Sequence, residues 1–233
     1  MAETGKLSEG SQIASDEERR RTAHRESIFN IPNQLTVARL LLSVVFFVLL
    51  ALETHGYFSE RKTHFVLNLS ILVFVLAVVT DFLDGYLARK WELTSTFGRI
   101  ADPFADKIVV CGGFVMLTGL PDSLVEPWFA VVVMFREFLV SGLRSFLESR
   151  GVAFGAAASG KLKMIIQSIT IPVVIFYEAN VHPASEAAQT TWATLFRGIT
   201  VALLALTLAV TVYSSVAYVQ RALKLIREDS LPR

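Results

Sequence analysis

TDFLDGYLARKWELTSTFGRIADPFAD, residues 80–106, sets four aspartates, Asp81, Asp84, Asp102 and Asp106, between two long apolar runs. Charged groups beside lipid are costly and persist where they have a task. On a helix, positions three or four apart share a face. Asp81 and Asp84 therefore share a face at the end of the apolar run 65–83, and Asp102 and Asp106 share one at the start of the run 104–120. A short connection lets the two helices lie side by side and antiparallel, which gathers the four carboxylates. So many negative charges in a low-dielectric site must be protonated or neutralised. One or two divalent cations are the simplest neutraliser. An all-oxygen donor set favours Mg2+, Mn2+ or Ca2+ over zinc. No histidine lies in the stretch to soften that set.

The rest of the chain puts this stretch in a membrane. Of 233 residues, 53% are hydrophobic and only 18% charged, against the usual quarter for soluble domains. Mean hydropathy is +0.51. Six apolar runs follow one another at 34–52, 65–83, 104–120, 127–147, 162–178 and 197–219. A helical span needs ~20 mostly apolar residues. The pattern predicts an all-α membrane protein, a bundle of six transmembrane helices. Residues 1–30 form a polar N-terminal tail, 31–228 the helical domain and 229–233 a short C-terminal tail. Lysine and arginine concentrate in 1–30, 88–103, 148–161 and beyond 220. They are sparse in 53–64 and absent from 121–126 and 179–196. The positive-inside rule then places both termini and the aspartate stretch in the cytoplasm. Net charge of +1 gives no footprint for nucleic acid. The single Cys111 excludes an internal disulfide framework and reads as a buried thiol. Gly112, Gly113 and Gly119 on the third run permit close helix packing, within one chain or between two.

Between the aspartate pairs stand Gly85, Ala88, Arg89 and Gly98. Small residues keep a helix face open to a ligand, and an arginine suits a phosphate or diphosphate. Together with metals they read as a nucleotide-diphosphate site. Solvated, helix-capping aspartates are the bland alternative for any one position, but not for the whole set.

The full spacing is D-x2-D-G-x2-A-R-x8-G-x3-D-x3-D, from Asp81 to Asp106. It resembles the signature of the CDP-alcohol phosphatidyltransferase family, with no fixed position missing. Chance agreement at eight positions is on the order of one in 10¹⁰ windows. Two further stretches resemble the phosphatidylglycerophosphate synthase branch of that family. One is NIPNQLTVARL at 30–40, with Asn33, Thr36 and Arg39 spaced along one face. The other is REFLVSGLRSFLESRG at 136–151, followed by ASGKLKMIIQ at 158–167.

The resemblance implies a multi-pass protein, usually dimeric, of a bacterial plasma membrane with a cytoplasmic-facing active site. It implies transfer of the phosphatidyl group of CDP-diacylglycerol to glycerol 3-phosphate, releasing CMP. Asp81, Asp84, Asp102 and Asp106 would bind two Mg2+ or Mn2+ ions. Gly85, Ala88, Arg89 and Gly98 would line the CDP pocket, with Asn33 and Thr36 adding polar contacts. Asp106 would act as general base, or serve only as a metal ligand. The acceptor phosphate would meet Arg136, Arg144 and Lys161, while Lys163 reads as a plain flanking charge. Arg136 has a second reading, an intramembrane pair with Glu137 or Asp106. Serine, inositol phosphate or phosphatidylglycerol remain alternative acceptors. A membrane cation carrier is the non-enzymatic alternative, and intramembrane prenyltransferases are a rival class without the D-G-x2-A-R core.

Overall fold

The computed structural model describes residues 31–55, 60–91, 96–121, 123–150, 158–181 and 191–229. Within its helices, the side chains of residues 31–33, 60–61, 84–91, 96–103, 105–106, 158–159, 161 and 228–229 lie outside that description. The described residues are helical almost throughout, in six helices. They are α1 (Ile31–Thr54), α2 (Glu60–Trp91), α3 (Thr96–Leu117), α4 (Pro127–Ser149), α5 (Ala158–Asn180) and α6 (Thr191–Asp229). Five of them hold a whole apolar run and extend past it, whereas α3 begins before its run 104–120 and ends within it, at Leu117. Helical hydrogen bonding does not stop where lipid stops, so charged turns continue the apolar ones. Residues 88–91 and 96–103, expected in a connection, are helical for this reason.

Four of the helices contain stretches long and apolar enough to cross a membrane: Gln34–Thr54, Lys62–Leu83, Leu162–Asn180 and Thr191–Arg227. Lys107–Leu117 is a shorter apolar stretch. The α4 helix has 23 residues but carries Arg136, Glu137 and Arg144 among its apolar side chains. The chain is thus an all-helical, multi-pass membrane protein by length and composition.

The distribution of side chains agrees. Leu41, Val44, Phe65, Phe82, Val131, Phe135 and Tyr213 are exposed, whereas Arg39, Ser43, Ser70, Thr170, Thr207, Thr211 and Ser214 are buried. Water would penalise the first set and lipid the second, so the inversion suits a hydrocarbon solvent. The buried hydroxyls bond across helices or back to their own turn. Thr170 and Thr207 join α5 to α6 at 2.7 Å, and Ser70 donates to the Leu67 carbonyl at 2.7 Å.

The described residues fall into two compact units. One comprises those within Met1–Leu41 and Leu76–Asp106, the other those within Leu42–Val75 and Lys107–Arg233. In the larger unit, α6 packs against both α4 and α5. Its apolar centre includes Phe46, Leu50, Phe74, Phe114, Ile171 and Ile175. The Phe46 and Phe74 rings meet at 5.2 Å. The third-run glycines pack within the chain. A Cβ on Gly112 would lie 2.4 Å from the Phe47 ring, one on Gly113 3.0 Å from Ile171, and one on Gly119 3.0 Å from Thr54. Cys111 is free and buried, as expected.

Candidate active site

In the smaller unit, the aspartates stand on two continuous helices. Asp81 and Asp84 are one turn apart near the end of α2, and Asp102 and Asp106 one turn apart early in α3. The backbone therefore supports both same-face pairings. Gly85, Ala88 and Arg89 continue α2, and Gly98 lies in the first turn of α3. The side chains of Asp84, Arg89, Asp102 and Asp106 lie outside the described residues, as does that of Asn33.

Asp81 is described, and it has a partner that the sequence did not reveal. Arg39 donates from Nη1 to Asp81 Oδ1. Arg39 is 1% exposed and stands in an otherwise apolar stretch of α1. A buried guanidinium needs an anion and hydrogen bonds to persist. Asp81 supplies both, with its own side chain 20% exposed. Thr36, one turn before Arg39 on the same helix, is buried too. The sequence did carry a signal for Arg39, because it is the lone charge in the run 34–52.

The donor set fits a hard divalent cation. Its members are carboxylates one helical turn apart on α2 and on α3. Among the described residues, which include only Asp81 of the four aspartate side chains, no group of three or more metal-ligating side chains gathers.

In the larger unit, the candidate acceptor residues resolve differently. Arg136 is buried on α4 and bonds Glu137 Oε1 from Nη1 at 3.2 Å. Its Nε donates to Ser214 Oγ on α6, also at 3.2 Å. Its guanidinium lies over the Tyr218 ring, 5.6 Å from the centroid. Lys163 is no plain flanking charge. It is 6% exposed, and its Nζ donates to the same Glu137 Oε1. The expectation failed because α5 turns this side of its first turns inward, a rotation that the flanking position of a lysine does not disclose.

One carboxylate thus serves two cations, so the buried triad carries a net charge of +1. Arg144, two turns after Arg136, does not join it through any hydrogen bond or ion pair among the described residues. Its Nε is buried without a hydrogen-bond partner there. The side chain of Lys161 lies outside the described residues.

Residues 29–213 match the model of the CDP-alcohol phosphatidyltransferase family, and the chain belongs to that family. It is similar to proteins named CDP-diacylglycerol–glycerol-3-phosphate 3-phosphatidyltransferase from several bacteria. The Rickettsia typhi protein is 38% identical over 146 residues, which is 63% of this chain and 76% of that protein. The Bacillus subtilis protein is 33% identical over 157 residues, covering 64% and 78% respectively. The Cereibacter sphaeroides protein is 36% identical over 168 residues, covering 70% and 72%.

Proposed function

We propose that this protein transfers the phosphatidyl group of CDP-diacylglycerol to glycerol 3-phosphate, giving phosphatidylglycerol phosphate and CMP. The family membership and the names of the similar proteins support the donor and the reaction. The observation that carries the acceptor is the buried triad of Arg136, Glu137 and Lys163. Among the described residues, two buried basic side chains share one carboxylate, and no second counter-charge pairs with them there. An unmatched buried charge is costly unless an anion completes it. Glycerol 3-phosphate brings a net negative charge, whereas free serine is a zwitterion whose carboxylate is offset by its own ammonium.

On this reading Asp81, Asp84, Asp102 and Asp106 hold two divalent ions, Mg2+ or Mn2+. When bound, these ions neutralise the donor diphosphate and stabilise charge on the attacking and leaving oxygens. Arg39 keeps the Asp81 carboxylate in one orientation, as a partner behind a metal ligand does. Gly85, Ala88 and Gly98 leave room for the CDP moiety, Arg89 pairs with its diphosphate, and Asn33 and Thr36 add polar contacts. Asp106 accepts the proton of the acceptor hydroxyl as that oxygen attacks the β-phosphorus in line. CMP departs with the electron pair of the broken P–O bond. Arg136, Arg144 and Lys161 hold the acceptor phosphate, and Lys163 joins them through Glu137.

The bundle spans a bacterial plasma membrane six times as a homodimer, with both termini and the carboxylates on the cytoplasmic side. The acyl chains of the donor remain in lipid while CMP and the acceptor stay in water. The test is CMP release by the purified chain with CDP-diacylglycerol and Mg2+, adding glycerol 3-phosphate, serine or inositol phosphate separately. Release that depends on glycerol 3-phosphate and disappears in Asp106→Asn is expected. Release with serine alone would overturn the acceptor, and no release from folded protein would overturn the reaction.

A further inference from the structure

Tyr218 belongs to none of the motifs read from the sequence, yet its contacts involve the three helices of the cation cluster. Its ring underlies the Arg136 guanidinium on α4 at 5.6 Å. Ser214, one turn earlier on α6, accepts the Arg136 Nε hydrogen bond. The α6 helix therefore grips this arginine at two points, one polar and one through a π face. Tyr218 is 3% exposed and Ser214 0%, so water dilutes neither contact.

The ring is itself held. It packs in an apolar cluster with Val140, Leu147 and Ala222. Its hydroxyl end reaches α5, where a Cβ on Gly160 would lie 3.0 Å from the Tyr218 oxygen. Gly160 immediately precedes Lys161 and lies three positions before Lys163. The absence of a side chain at Gly160 lets this tyrosine reach the turn that bears both lysines.

A guanidinium is planar, and its donors point along fixed directions in that plane. Ser214 and Glu137 take Nε and Nη1, and Nη2 has no partner among the described residues. The plane of the ring beneath then limits how the guanidinium can tilt. We propose that Tyr218 is a positioning residue, which orients the open edge of Arg136 toward an anionic acceptor. This inference rests on the reading of Arg136 as a ligand of the acceptor phosphate.

The test uses the full chain in lipid nanodiscs. Phenylalanine (Tyr218→Phe) and progressively fluorinated phenylalanines are placed at position 218. Fluorination keeps the ring shape and apolar packing while removing the negative π face. The KM for glycerol 3-phosphate should rise about 5-fold across the series, with the KM for CDP-diacylglycerol and kcat at saturation unmoved and the thermal midpoint lowered by no more than about 2–4 °C. A flat series, or equal increases in both KM values, would overturn the proposal. Tyr218→Leu should behave as the most fluorinated ring; if it does not fold, the isosteric series still decides. Binding of inorganic phosphate, measured by calorimetry without donor, separates this inference from the reaction. Phosphate binding that weakens along the series, in a chain inactive with glycerol 3-phosphate, would sustain Tyr218 and refute the acceptor. Binding of neither anion by the unsubstituted chain would overturn both.

Discussion

Replacing Glu137 by glutamine removes the shared counter-charge of Arg136 and Lys163 while preserving side-chain shape. The amide oxygen can still accept both hydrogen bonds, so the change isolates charge. The three side chains are 6–10% exposed, and screening by water is correspondingly weak. Stranding buried charge in this way costs roughly 3–5 kcal/mol. At roughly 2–4 °C per kcal/mol for a chain of this size, Glu137→Gln should lower the thermal midpoint by about 10 °C. Lys163→Met behaves differently. It retains the apolar stem and leaves Arg136 and Glu137 as a neutral pair. Its cost should be that of one charge-assisted hydrogen bond, roughly 1.5–3 kcal/mol. In the double variant the charge near Arg136 returns to the original +1, so the two effects should be less than additive. Thermal unfolding in one detergent, monitored by tryptophan fluorescence for all four proteins, measures the cycle. A Lys163→Met penalty equal to or above that of Glu137→Gln would refute Glu137 as the shared counterion. Simple additivity would do the same.

Other outcomes follow from single contacts. Gly112→Ala should destabilise by about 1–3 kcal/mol, because its Cβ would lie 2.4 Å from the Phe47 ring. Gly142→Ala meets nothing within 4 Å and should be neutral or gain up to about 1 kcal/mol of helix propensity; thermal midpoints compare the two. Arg39→Gln removes the buried partner of Asp81 and should cost about 2 kcal/mol, a value reduced by the 20% exposure of that carboxylate. The same variant should bind Mn2+ with altered affinity by paramagnetic resonance, and unchanged binding would disconnect Arg39 from the metal ligands. EDTA should abolish CMP release, with Mg2+ or Mn2+ restoring it and Zn2+ failing, since the proposed donors are carboxylate oxygens.

Much of the architecture is legible along the chain. Apolar runs of span length can satisfy their backbone in lipid only as helices, so six runs imply six helices. Helical periodicity then places Asp81 with Asp84, and Asp102 with Asp106, without knowledge of any neighbour. The ends were less legible. Helices α2 and α3 continue through Arg89 and Gly98 because hydrogen bonding continues where apolarity ceases.

What the sequence determined by itself is local: the helices, their apolar character, the carboxylate spacing and the family signature. The Arg136–Glu137 pair is one reading of the sequence, but tertiary structure alone decided the long-range partners among the buried charges. Arg39 meets Asp81 across 42 positions, and Lys163 meets Glu137 across 26. It also gave Tyr218 its place beneath Arg136 and seated Phe47 against Gly112. The physical reason is rotation about the helix axis. A shift of one residue turns a side chain by about 100°. Whether a lysine near a span's end faces water or a buried carboxylate therefore depends on how the helices pack.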